Sequence, residues 1–290
     1  MSIPIDSICL ECHLRRNLET ARSLGTEAQA TAFAKDLMKL YLSVPEGVSS
    51  PWLSPDTTDL FRAHYGLEED RFRAEKEESN RFVLARLDQI RATAEAAADP
   101  VYAALHLAVL GNYIDFSALH GEVSFESLDA RLREAEQLVL DRDAYERLCA
   151  DLEAGKKLLY LTDNAGEIGF DRVLAEQIHK KYPQLEITFC VRGAPAMNDA
   201  MREDAALVGI PFPVIDNGNR VAGTQIDMLG EEAKKALDEA DVILAKGQGN
   251  TETMYGCGYN VYYAFLVKCV RFETIFQKPK YTPMLLRERK

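Results

Sequence analysis

The chain has 290 residues, with 34 Lys and Arg against 46 Asp and Glu for a formal net charge of −12. That balance excludes a general nucleic-acid binder or a protein drawn to anionic membranes, but not a small anionic ligand, which needs only one or two cations or a metal in a pocket. With 47% hydrophobic and 28% charged residues, and no apolar run near the roughly 18 residues of a spanning helix, the chain reads as globular and not membrane-embedded.

Met1 to Asp6 lacks the basic and apolar regions of a signal peptide, so a cytoplasmic location is expected, with the six cysteines as thiols or metal ligands. Cys9-Leu10-Glu11-Cys12-His13 spells the haem-attachment pattern, which has no use without export. A zinc or iron site would need further ligands, for which Cys269 and His13 are candidates; two reduced thiols at the start of a helix are the simpler reading. Thr26-Glu27-Ala28-Gln29 forms a capping box ahead of Phe33, Leu37, Leu40 and Tyr41 at helical spacing. Glu68 to Ala98 reads as one long surface helix ended by Asp99-Pro100. Val101 to Leu110, apolar nearly all round, reads as a buried helix. At its end Asn112 and Asp115 are three apart and share a face, either to cap a pocket or to close the helix end.

From Lys156 the pattern changes to short apolar runs, Leu158 to Leu161, Ile187 to Val191, Phe212 to Ile215 and Val242 to Ala245. Helical stretches Gly166 to Lys181, Asn198 to Val208 and Glu231 to Ala240 separate them, and a last strand or two is expected within Arg271 to Arg287. Such alternation predicts a mostly parallel sheet, hence a helical region over 1–155 and a Rossmann-like α/β region over 156–290, packed separately or as one unit.

Ligands of such sheets collect beyond the carboxyl ends of the strands, so the strand exits carry the chemistry. Thr162-Asp163-Asn164-Ala165-Gly166-Glu167 follows the first run and lacks the G-x-G-x-x-G spacing of a dinucleotide loop. Asp163 and Asn164, with Asp199 from the second exit, instead form a carboxylate, amide and carboxylate set suited to Mg²⁺, Mn²⁺ or a similar hard cation. The same residue types also N-cap helices, which is the competing account of each one. Lys246 leaves the fourth run ahead of Gly247 and Gly249, so its ammonium and the backbone amides of Gly247 to Asn250 could meet a phosphate. A solvated strand-end lysine is the plainer alternative.

These motifs resemble those of the damage-control phosphatase family, also called ARMT-like or DUF89. The matching pieces are Cys9-Leu10-Glu11-Cys12, Gly111 to Phe116, Asp163 to Glu167, Arg192-Gly193 with Asn198-Asp199, Lys246 to Asn250 with Glu252, and Lys268-Cys269. They run in order along almost the whole chain, and the Cys-x-x-Cys start looks like the archaeal and bacterial branch. The resemblance implies a three-layer α/β/α sandwich with an N-terminal helical region. It also implies divalent-metal-dependent hydrolysis of small phosphate monoesters, such as sugar phosphates or damaged phosphometabolites. Asp163, Asn164 and Asp199 are then the metal ligands, for Mn²⁺, Mg²⁺, Ni²⁺ or Co²⁺. Lys246, Asn250, Asn112, Asp115 and Arg192 line the substrate, and Glu167, Asp115 or Asp199 orients or deprotonates the attacking water. Gln248 departs from the eukaryotic pattern, which has an acid there. Two rivals stand beside this reading: an S-adenosylmethionine-dependent methyltransferase, and a non-catalytic metal or redox module built on the cysteines. The sequence leaves the oligomeric state open.

Overall fold

The computed structural model describes residues 2–112 and 139–288, and among these the regular elements before the first strand are helices. Helix α1 spans Ser7–Leu24, and the Asp6 carboxylate caps it by accepting from the Cys9 N–H at 2.9 Å. Helix α2, Glu27–Ser43, opens on the expected capping box: the Gln29 N–H donates to Thr26 Oγ1 at 3.3 Å, and the Thr26 N–H donates to Gln29 Oε1 at 3.0 Å. Helix α3 is Ser54–Tyr65. Ala21, Ala30, Phe33, Leu37 and Phe61 bury the facing sides of these three helices in a small core of their own.

The stretch from Glu68 to Ala98 is two helices, α4 at Arg73–Leu84 and α5 at Leu87–Ala96, and not one. The chain turns at Arg86, whose guanidinium lies 3.7 Å from the centre of the Phe82 ring and donates to the Phe82 carbonyl at 3.2 Å. It is not a surface helix either, since Lys76, Ser79, Asn80, Val83, Leu87 and Ile90 are all buried. Helix α6, Pro100–Gly111, is buried as expected and capped by Asp99. Asp115 lies outside the described residues. Helix α7 is Arg142–Ala154.

The expected strands form as β1 (Lys157–Leu161), β2 (Glu186–Val191), β3 (Val214–Asp216) and β4 (Val242–Lys246). Between and after them run α8 (Glu167–Lys181), α9 (Arg202–Leu207), α10 (Glu231–Glu239) and α11 (Gly247–Met254). Strand β5, Val261–Leu266, is fully buried and was not among the expected strands, because Val-Tyr-Tyr-Ala-Phe-Leu carries no alternation to mark it. The stretch from Arg271 to Arg287 supplies one strand, β6 (Pro283–Arg287), behind helix α12 (Val270–Phe276).

The sheet order is β3-β2-β1-β4-β5-β6, parallel throughout except for antiparallel β6. Alternate residues face opposite ways along each strand. Leu158, Tyr160, Phe189, Leu244 and Tyr262 join Leu105, Val109, Leu148, Val173 and Ile178 of helices α6, α7 and α8 in one core. Leu159, Leu161, Ile243, Tyr263 and Phe265 join Leu237, Met254 and Phe272 of α10, α11 and α12 in the other. The result is a three-layer α/β/α sandwich. Because β1 sends α8 to one face and its neighbour β4 sends α11 to the other, a crevice opens between their carboxyl ends, the place where such sheets bind ligands. No helix among the described residues is long and apolar enough to cross a membrane.

Candidate functional site

The crevice holds the residues that follow β1, with Asp199 brought to them from the exit of β2. The Ala200 N–H donates to the Asp163 carbonyl at 2.7 Å, and the Ala165 N–H donates to the Asn198 carbonyl at 2.9 Å. These bonds pair Asn164 with Asp199 in a short antiparallel bridge. Asp163, Asn164 and Asp199 are all buried. After a turn at Met197 and Asn198, residues 199–201 form an extended segment, where the sequence suggested the start of a helix, and α9 begins only at Arg202.

Two amides converge on Asp163. Asn112 Nδ2 donates to Asp163 Oδ2 at 2.8 Å and to Glu167 Oε2 at 2.6 Å, while Asn164 Nδ2 donates to the same two oxygens at 2.9 and 3.1 Å. An amide facing two carboxylates must present its NH₂, so both side chains turn their carbonyl oxygens away from the acids. Asn112 Oδ1 is buried and has no hydrogen-bond partner among the described residues. Asp163 Oδ1 likewise takes no hydrogen bond there. Burial pushes the Asp163 carboxyl well above the usual range, and the nearby Asp199 and Glu167 charges add to this, while Lys268 and Arg192 pull the other way.

Gly247 makes this crowding possible. Its φ of +78° is left-handed, and a Cβ there would overlap the Asp163 carboxylate. The glycine after β4 therefore lets the backbone of one strand exit pass against the acid of the other.

Lys246 differs from the expectation that it meets a phosphate. It is completely buried and spends its three donors inward, on Glu167 Oε1 at 2.6 Å, Asp171 Oδ1 at 2.6 Å and the Ala108 carbonyl at 3.0 Å. Desolvation works against the ammonium, but Asp171 and Glu167 outweigh it and hold its pKa above that of an ordinary lysine. Burial likewise lifts Asp171 to about 6 against the pull of Lys246.

Arg192 and Asn250 are also structural in their contacts. Arg192 Nε pairs with Asp199 Oδ2 at 2.5 Å, and its Nη2 donates to Asn250 Oδ1 at 3.2 Å. Asn250 donates to the carbonyls of Thr162 at 2.9 Å and Lys246 at 2.6 Å, and accepts from Thr224 at 2.8 Å. It ties the ends of β1 and β4 together and leaves no donor for a ligand. Glu167 accepts bonds on both oxygens and is fully buried.

Sequence reading missed Asp171 and Asn80. Asp171 stands one turn after Glu167 on α8, a second buried acid for the same lysine, and that i,i+4 spacing was a usable signal. Asn80, among Glu and Arg residues in α4, carried none.

Among the described residues the cysteines form no second centre. All six are free thiols, and burial, followed by the Glu252, Cys269 and Cys12 charges, pushes Cys9 up to about 12. Among the described residues no three His, Cys, Asp or Glu side chains converge to hold a metal. The set at the crevice counts two carboxylates and an amide, so any ion there would be held by oxygen alone.

Fold and site together define a doubly wound α/β protein with a buried acidic centre at the carboxyl edge of its sheet. The sequence pattern of the damage-control phosphatase ARMT1-like domain matches residues 5–281, and the chain belongs to that family. It is 30% identical over 279 residues to an uncharacterized protein of Methanocaldococcus jannaschii, covering 92% of this chain and 90% of that one. It is 35% identical over 189 residues to a damage-control phosphatase of Archaeoglobus fulgidus, covering 64% of each chain. The crystal structure of a DUF89 family protein from Pyrococcus horikoshii superposes with a TM-score of 0.84 at 25% identity, covering 99% of both chains. These likenesses support a phosphatase role.

Proposed function

We propose that the chain is a divalent-metal-dependent phosphatase acting on small phosphate monoesters, sugar phosphates or damaged phosphometabolites among them, with Asp163, Asn164 and Asp199 holding the cation. The observation that carries this reading is the enclosure of Asp163 beside Asp199 and Glu167, which raises its pKa and leaves Oδ1 without a hydrogen bond among the described residues. Glu167 is paired with Lys246 and Asp199 with Arg192, which leaves Asp163 as the acid of the three with no ion pair among the described residues. Oxygen-only donors fit Mn²⁺, Mg²⁺, Co²⁺ or Ni²⁺ in preference to a thiolate-bound zinc. Such an ion, when bound, neutralises phosphoryl oxygens and makes phosphorus easier to attack.

The chain's own residues do the positioning. The Asn112 and Asn164 amides fix Asp163 and Glu167, and Arg192 fixes Asp199. Glu167, with both oxygens bonded, acts as an anchor for those amides and not as the base for water. Lys268 follows β5, and its charge favours the ionised form of Asp163.

The test is hydrolysis of an aryl phosphate by chelator-treated protein, before and after each divalent ion is restored. Activity that survives chelation unchanged rejects the reading. Asp163→Asn should abolish ion binding while raising the melting temperature of the ion-free protein, by about 0.5–2 kcal/mol of stability, because a neutral amide relieves the crowded charge. Retained ion affinity in that variant would move the site elsewhere.

A further inference from the structure

Asn80 belongs to α4, in the helical layer, far in sequence from every residue assigned above, and it is completely buried. Its Oδ1 accepts from the Gly166 N–H at 2.7 Å, and its Nδ2 donates to Asp204 Oδ1 at 2.7 Å. Gly166 is the N-cap of α8, where no side chain of its own makes the cap. The bond to the N-cap N–H that a Glu or Gln three residues on makes in a capping box comes here from another helix, because the third residue of α8 is Gly169. On the other side, Asp204 Oδ2 accepts from the Met201 N–H at 2.8 Å. Lys76, one turn before Asn80, sets its ammonium 3.6 Å from that oxygen and 3.0 Å from Asp70.

The two segments gripped in this way carry the candidate ligands, Asp163 and Asn164 just before Gly166, and Asp199 just before Met201. They are joined directly by the two backbone bonds across the Asn164 and Asp199 bridge. A single amide reaching both is therefore a gauge of their separation. We propose that Asn80 is a positioning residue for the cation site: by capping Gly166 and holding Asp204 at once, it sets the spacing of Asn164 from Asp199. This rests on the reading of Asp163, Asn164 and Asp199 as cation holders.

Two variants of the full chain test it. Asn80→Asp keeps the shape and the acceptor for Gly166 but turns a carboxylate onto Asp204. Asn80→Asp combined with Asp204→Asn reverses donor and acceptor, so the pair is remade, and the amide oxygen at 204 still accepts from Met201. Mn²⁺ affinity by calorimetry and backbone amide exchange across 163–167 and 198–201 are the readouts. The single variant should lose about tenfold or more in Mn²⁺ affinity and exchange faster in both segments, and the double variant should recover most of each. A folded single variant with unchanged Mn²⁺ affinity overturns the proposal, as does faster exchange confined to 163–167. If the single variant does not fold, the double one decides: folded with near-normal affinity it supports the gauge, and folded with affinity still depressed it rejects it. Wild-type protein that binds no Mn²⁺ at all would reject the cation site instead, and the paired change in exchange would still judge Asn80.

Discussion

Lys246 is the residue whose role changes most once its surroundings are known. A lysine after a strand and before two glycines suggests a ligand contact, yet this one is shared between two acids beneath the crevice. Removing one member of a buried ion cluster leaves uncompensated charge, so Lys246→Met should destabilise the fold by about 3–5 kcal/mol. Urea denaturation measures this; a loss of activity with unaltered stability would return the lysine to the ligand. Glu252 offers a second test at this scale. The residue is partly exposed, but its carboxyl group is enclosed, and burial lifts it from the ordinary 4.5 to about 7 against the pull of Gln248. Below pH 4.5 folded and unfolded chains both hold the proton. As pH rises towards 7 the unfolded chain releases it while the folded chain retains it, so stability falls across that window and levels off above it. Glu252→Gln keeps the bond from Gln248 and should raise the melting temperature at pH 8 but not at pH 4. An equal shift at both pH values would show that the carboxyl is not enclosed.

The strand-to-helix turns do the assembling. After β1 the acids are presented, and after β4 a left-handed glycine makes room for them. Gly247→Ala should therefore displace Asp163 and cost about a hundredfold in kcat/KM, the usual scale for an ångström of misplacement. Gly258→Ala is the control, since its φ of +81° is equally left-handed but a Cβ there meets nothing within 4 Å. It should cost only stability, about 1 kcal/mol. Equal activity in the two variants would make the contact with Asp163 irrelevant. These turns are legible in sequence, because polar residues after apolar runs mark strand exits, and Asp163, Asn164 and Asp199 group together on that pattern alone. Strand β5 is not, since a strand buried on both faces has no alternation. Nor is the break at Arg86, which depends on a cation over one particular ring. The inward turn of Lys246 depends on Asp171 and the Ala108 carbonyl, partners set by packing that no local pattern encodes.

At the scale of the whole molecule the helical half is part of the sheet's cover. Leu105, Val109 and Leu148 share a core with Leu158, Tyr160 and Leu244, and Asn112 and Asn80 reach the crevice from that side. Residues 156–290 expressed alone should therefore leave that face covered by α8 only, expose the rest of it and fail to give a dispersed amide NMR spectrum, whereas a well-folded fragment would contradict the shared core. The strand order has a further consequence in time. Strand β1 lies between β2 and β4, both of which follow it in the chain. On a ribosome adding about 5–20 residues per second, Glu167 and Asp171 are made roughly 4–16 s before Lys246. During that interval these two acids lack the ammonium that they share, so the nascent chain must keep this corner hydrated until β4 arrives. The lysine is thus a late-fitted piece whose delivery allows the crevice to close.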